Sequence, residues 1–169
     1  SGLAPGQRLR IIQTDVDSQR IDRLHADLMQ GGSDNIGDRG MDFHARVVSI
    51  QGNTVEIDRS LPVDVDTGWS PEVLPFDPSA SEIGIEHLTI SFPLTTYPGH
   101  FDELGYNAID LHRAVDSWVR DVEIINSGYG VNIRDCFFVT VQDVVLGTSG
   151  DRGAVVGHHG LNNGHGGDN

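Results

Sequence analysis

Three basic side chains recur at an interval that a chain folding back on itself would gather into one column. His112, Arg134 and His158 stand 22 and then 24 positions apart, with Asp110, Asn132 and Val156 two positions ahead of them. An arginine between two histidines suits β-elimination. The cation keeps an imidazole neutral and able to accept a proton beside a carboxylate, and positive charge stabilises the anion that forms. Hydrolysis would instead need a carboxylate pair, for which Asp110 or Glu103 is available as acid or base. The candidate catalytic set is therefore His112, Arg134, His158 and Asp110. A solvated ladder without chemistry has the same composition.

Residues 91–106 mix Tyr97, His100, Phe101, Asp102 and Glu103 between Pro98 and Gly105. Such excursions between strands often wall a groove. A sugar needs an apolar platform for its ring and hydrogen-bond partners for its hydroxyls. Tyr97, His100 and Glu103 are thus candidate substrate-binding residues, together with Asn132 and Arg113 beside the basic column. A third group is metal-like: His158, His159, His165 and Asp168 fall within eleven positions and suit zinc or another transition metal. Adjacent histidines on a strand point oppositely, so His158 and His159 share an ion only if a turn at Gly157 or Gly160 intervenes. Calcium is the other divalent candidate. Asp15/Asp17 and Asp64/Asp66 are spaced two apart, and "GGSDNIGD" and "NNGHGGDN" are similar to calcium-binding nonapeptides. Each of those stretches occurs once, which favours a loop.

The elements that must position these groups repeat as well. Segments 108–113, 130–135 and 154–159 superimpose, and so do 85–90, 119–124 and 141–146, the latter at steps of 34 and 22. Ile109/Leu111, Val131/Ile133 and Val155 share one parity, pointing to one side of a pleated strand. Repeats in the low twenties with short β-branched strands and no helical pattern between them predict an all-β chain. The expected fold is a right-handed parallel β-helix of about 22-residue coils. Outward residues would then stack in columns about 4.8 Å apart per coil.

The strands "SWVRDVEIINS" and "FFVTVQDVVLG", Asn126 at a corner and the coil-length repeat together resemble the pectin-lyase-like superfamily of parallel β-helices. The resemblance covers residues 82–169. It implies a protein that cleaves or binds an acidic polysaccharide along the outer face of one sheet. The chain departs from the family in instructive ways. Lyases that use a lysine base are excluded as a pattern, since lysine is absent. Of the polygalacturonase pattern (Asn-Thr-Asp, an Asp-Asp pair, Gly-His-Gly, Arg-Ile-Lys) only Gly164-His165-Gly166 is present. The expectation is a polysaccharide lyase or glycoside hydrolase, secreted or on a bacterial cell surface, whose partner is a polysaccharide or oligosaccharide. The competing reading is a non-catalytic glycan-binding or structural β-helix segment that assembles with other chains.

Composition narrows the partners further. All eleven basic residues are arginine, against 19 aspartates and six glutamates, and the net charge of −14 argues against nucleic acid and anionic membranes. An acidic substrate then requires local compensation by arginine, histidine or a bound cation. The 21 glycines and 37% hydrophobic content suit a turn-rich β protein. Cys136 is the single cysteine, which excludes an internal disulfide.

Residues 1–81 lie outside the repeat and form the first expected domain, with the coils at 82–169. "LRIIQ" at 9–13 predicts a strand, and Ile21, Leu24, His25 and Leu28 predict a short helix over 18–29. Residues 43–50 and 54–58 predict a hairpin about Gln51-Gly52-Asn53. This region resembles the small barrel-like insertion that some β-helix enzymes carry. Residues 69–81, with three prolines, lead into the repeat. The glycine-rich tail predicts an incomplete last coil, to be completed by another chain or by further sequence.

Overall fold

The computed structural model describes residues 2–14, 41–164, 167 and 169. The helix expected over 18–29 lies outside the described residues, as do Asp15, Asp17, His165 and Asp168. Contacts divide the chain into two compact units, Ser1–Asp77 and Pro78–Asn169.

The first unit holds β1 (Arg8–Gln13), β2 (Met41–Gln51), β3 (Thr54–Ile57) and β4 (Glu72–Pro75), in the sheet order β3-β2-β1-β4. All its pairings are antiparallel. Alternation along β1 buries Leu9, Ile11 and Gln13. Ile11, Phe43 and Ala45 form the small core on that face. The hairpin joins Gln51 to Thr54, with Gly52 at φ 61 supplying the left-handed turn. Among the described residues β3 and β4 are the two outer strands, which gives an open sheet there in place of the expected barrel.

The second unit contains β5 (Ala80–Ser81), β6 (Gly84–Ser91), β7 (Asn107–His112), β8 (Ala114–Ile125), β9 (Tyr129–Arg134), β10 (Phe137–Gly147) and β11 (His159–Gly164). β8 pairs in parallel with β10 on one side and with β5 and β6 on the other, while β9 lies parallel between β7 and β11. Val119, Val122, Ile124 and Val139 from one sheet and Ile109, Val131 and Ile133 from the other make one core, with Ala114 and Cys136. Burying each large aliphatic side chain there contributes about 1.5–3 kcal/mol over leaving it exposed. The long strands bend where left-handed residues align across neighbours: His87, Asp121 and Asp143 have φ of 56, 52 and 52.

The expected parallel β-helix of about 22-residue coils is not what forms. The chain is all-β, in three small sheets of three or four strands, and no solenoid runs through it. A solenoid needs a near-constant step from strand to strand. Here Ile85, Val119 and Val141 stand 34 and then 22 positions apart in one sheet. Ile109, Val131 and Leu161 stand 22 and then 30 apart in the other. Segment 154–159, expected to be the third repeat, lies in a loop up to His159, where β11 begins. Val155, expected to point inward, is 59% exposed.

The column drawn from the sequence breaks with it. His112 stands beside Arg134, but the next strand sets Gly164 there and not His158. Likewise Asp110 and Asn132 are followed by Asn162 in place of Val156, and Asn162 donates its amide to Asn132 Oδ1 at 2.9 Å. Among the described residues there is no α-helix, and none long and apolar enough to cross a membrane.

Candidate functional site

Two loops of the second unit hold the candidate site. The first, residues 92–106, leaves β6 and returns to β7; its ends meet where the rings of Phe92 and Tyr106 stack at 5.1 Å. The second, residues 148–158, leaves β10 and enters β11. Asn126, buried and left-handed at φ 60, ties the two together at their roots. Its amide nitrogen donates to the Phe92 carbonyl and to Ser149 Oγ, both at 2.9 Å, while its Oδ1 accepts from the Ser149 N–H at 2.9 Å. Asparagine is among the few non-glycine residues that take this backbone conformation readily. An alanine there would lose both the conformation and the tether.

Arg152 pins the loops further out. Only 2% exposed, its guanidinium donates to the carbonyls of Thr95 at 3.0 Å and of Ser127 and Val156 at 2.7 Å each. The Tyr97 N–H donates back to the Arg152 carbonyl at 3.0 Å. A buried guanidinium must be hydrogen-bonded, and three carbonyls from three segments satisfy it. Nothing in the sequence singled out Arg152, because a clamp of this kind involves main-chain acceptors that carry no residue signature.

Pinned in this way, the loops bring Tyr97, His100, Glu103 and His158 together against Tyr129 of β9. His158 Nδ1 and Glu103 Oε1 are 3.4 Å apart, with the two side chains 25% and 19% exposed. The Tyr97 hydroxyl donates to Glu103 Oε1 at 2.7 Å. The ring of His158 meets His100 edge-on at 4.0 Å, Tyr129 edge-on at 5.7 Å, and stacks on His159 at 4.0 Å. A cavity of about 480 Å³ opens along Tyr97, His100, Arg152, Val155 and His158. A second, of about 260 Å³, lies on the other side of His158 against Glu103 and Tyr129.

Electrostatics follow from this packing. The Tyr97 hydrogen bond holds the Glu103 carboxyl below the ordinary carboxylate range, so it is ionised at neutral pH. Desolvation, followed by the neighbouring His100 and His159, lowers the pKa of His158, and Glu103 only partly offsets this. His158 is therefore an uncharged imidazole at neutral pH, and its contact with Glu103 is not an ion pair. Desolvation raises the phenols of Tyr97 and Tyr129.

The remaining expected site residues lie elsewhere. Arg134 spends its guanidinium on Asp110, at 2.9 Å, and His112 Nε2 faces Asp135 Oδ2 at 3.3 Å. Arg113 occupies the left-handed bend between β7 and β8 at φ 56. Asn132 accepts from Asn162 and, at 3.4 Å, from the Tyr129 hydroxyl, one hydrogen bond away from the cleft. Of the expected metal group, His158 and His159 stack face to face, and His165 and Asp168 lie outside the described residues. Sequence reasoning missed Tyr129, whose position as the first residue of β9 gave no hint of a cleft. Comparison with family models, with curated proteins and with solved structures produced no match to this chain.

Proposed function

We propose that this is a carbohydrate-active protein that binds and cleaves an acidic polysaccharide in the cleft between residues 92–106 and 148–158. The observation that carries the reading is the Glu103–His158 pair, 3.4 Å apart and half-buried, between the rings of Tyr97 and Tyr129. Aromatic faces flanking hydrogen-bonding groups are what a sugar ring requires, and the pair supplies a carboxylate and a neutral imidazole that can exchange protons with a bound substrate. In elimination the proton beside the uronate carboxylate leaves to the protein. Its electron pair forms the ring double bond as the glycosidic C–O bond breaks, and the departing oxygen takes up a proton. In hydrolysis the other bond to the linking oxygen, the one from the anomeric carbon, breaks instead: water supplies a hydroxyl to that carbon and a proton to the departing oxygen.

The test incubates the purified chain with uronate polymers and with neutral polysaccharides, following both reducing ends and the ultraviolet absorbance of an unsaturated uronate. Cleavage of a uronate polymer that falls at least about 100-fold in Glu103→Gln and His158→Ala supports the reading. Cleavage with the absorbance rise identifies elimination, and cleavage without it hydrolysis. Binding of a polymer with no turnover in the unaltered chain overturns it in favour of a glycan-binding protein.

A further inference from the structure

We infer that His100, Glu103 and His158 form a binding site for a divalent transition metal, zinc being the ion that this donor set suits best. One donor atom from each residue lies within 4.8 Å of those of the other two. The best-defined edge of the triangle, His158 Nδ1 to Glu103 Oε1, measures 3.4 Å. That is about the edge of a tetrahedron whose metal–ligand distances are ~2.1 Å. It is also longer than a good hydrogen bond.

The chemistry of the donors selects the class of ion. Calcium and magnesium favour six or more oxygen ligands, whereas two of these three donors are imidazoles. Two histidines and one glutamate leave the fourth position open, as catalytic zinc sites do. The surroundings are built to match. The Tyr97 hydroxyl donates to Glu103 Oε1 at 2.7 Å and fixes the orientation of that carboxylate, which is the role outer partners play at metal centres. His158 is braced by the His159 and Tyr129 rings, and Arg152 holds together the loops that carry all three donors. His100 is exposed, so an ion can reach the donors from solvent.

Such an ion would also remove a difficulty of charge. A lone carboxylate in the cleft of a chain with net charge −14 repels an acidic sugar, and a divalent cation reverses that local sign. The inference concerns the same residues as the saccharide reading but does not rest on it, since metal binding needs no sugar.

The experiment titrates the full chain, stripped with a chelator and in sugar-free buffer, with zinc by calorimetry and with cobalt(II) by visible absorption. One zinc per chain is expected, with the intense absorption bands of four-coordinate cobalt. His100→Ala, Glu103→Gln and His158→Ala should each weaken zinc at least about 100-fold, the upper end of what loss of an outer partner alone costs. His87→Ala, on the far β6 strand, should leave affinity unchanged. Thermal unfolding of each variant separates loss of ligand from loss of fold, and Glu103→Gln keeps an oxygen for Tyr97 to bond. Absence of zinc binding overturns the site, and so does binding that survives both His100→Ala and Glu103→Gln. A metal-free chain that still cleaves polysaccharide would leave the saccharide reading standing alone.

Discussion

The two polar regions of the second unit are built from the same residue types and differ in what those residues meet. On the β7–β9 face, Arg134 pairs with Asp110 and His112 with Asp135, side chains roughly one-third to one-half exposed. Each side chain there has its neighbour as partner and is open to water. In the loop cleft, the His158 and Glu103 side chains are 25% and 19% exposed and approach without a hydrogen bond. Regular strands place opposite charges side by side, where they satisfy each other. Irregular loops, pinned by buried polar groups, can instead aim several polar side chains at a common point. The ladder that looked catalytic in the sequence is thus a row of mutually paired, solvent-exposed side chains, and the proposed site lies where the backbone is least regular.

That contrast can be broken experimentally, and the largest effect is expected at the clamp. Replacing Arg152 by alanine leaves three carbonyls without their donor, and should cost about 3 kcal/mol in urea unfolding and abolish any cleft activity with it. A variant as stable as the parent would show that the loops are held by something else. Next in size, His158→Ala or Glu103→Gln should lower turnover at least about 100-fold, whereas His112→Ala and Arg134→Ala change it less than about threefold. The reverse ranking would restore the ladder as the site.

The remaining effects sharpen the contrast without threatening it. Tyr97→Phe should weaken zinc about tenfold by freeing the Glu103 carboxylate, read by calorimetry. On the ladder, Arg134→Ala should shift stability by no more than about 0.5 kcal/mol, since an exposed ion pair offsets little. Smallest of all is a titration on the parallel sheet. The Trp118 indole N–H, then Arg120, holds the Glu86 carboxyl below its ordinary range. A depressed carboxylate stabilises the fold above the ordinary carboxylate pKa and loses that contribution as pH falls through the lowered value. Trp118→Phe should move the Glu86 midpoint upward in an NMR titration; an unmoved midpoint would assign the shift to Arg120.

Much of the strand content was legible because alternation is a local property. Alternation buries Val115, Ser117 and Val119 on one side of the left-handed Asp121 and Val122 and Ile124 on the other, and the Gln51–Thr54 hairpin follows from a glycine that tolerates positive φ. The insertion at 91–106 also announced itself, since aromatic and ionisable residues crowd a stretch with no strand pattern. The third repeat misled for an equally physical reason. Residues 154–159 carry β-branched valines, yet β11 forms from "HGLNNG", a weak strand former by composition. Pairing with β9 and the hydrogen bond that the Asn162 amide donates to Asn132 Oδ1 outweigh propensity there. Gly130 contributes too, since a Cβ at that position would come within 2.3 Å of the Gly160 carbonyl oxygen.

By itself, then, the order of residues marked the strongly alternating strands and the side chains able to do chemistry, because pleat parity and side-chain type need no partner. Which strands become neighbours, and whether His158 stands over Arg134 or beside Glu103, was decided only in three dimensions. Register depends on loop lengths and on main-chain carbonyls that accept from Asn126 and Arg152. Those acceptors are common to every residue, so the linear sequence carries no mark of them.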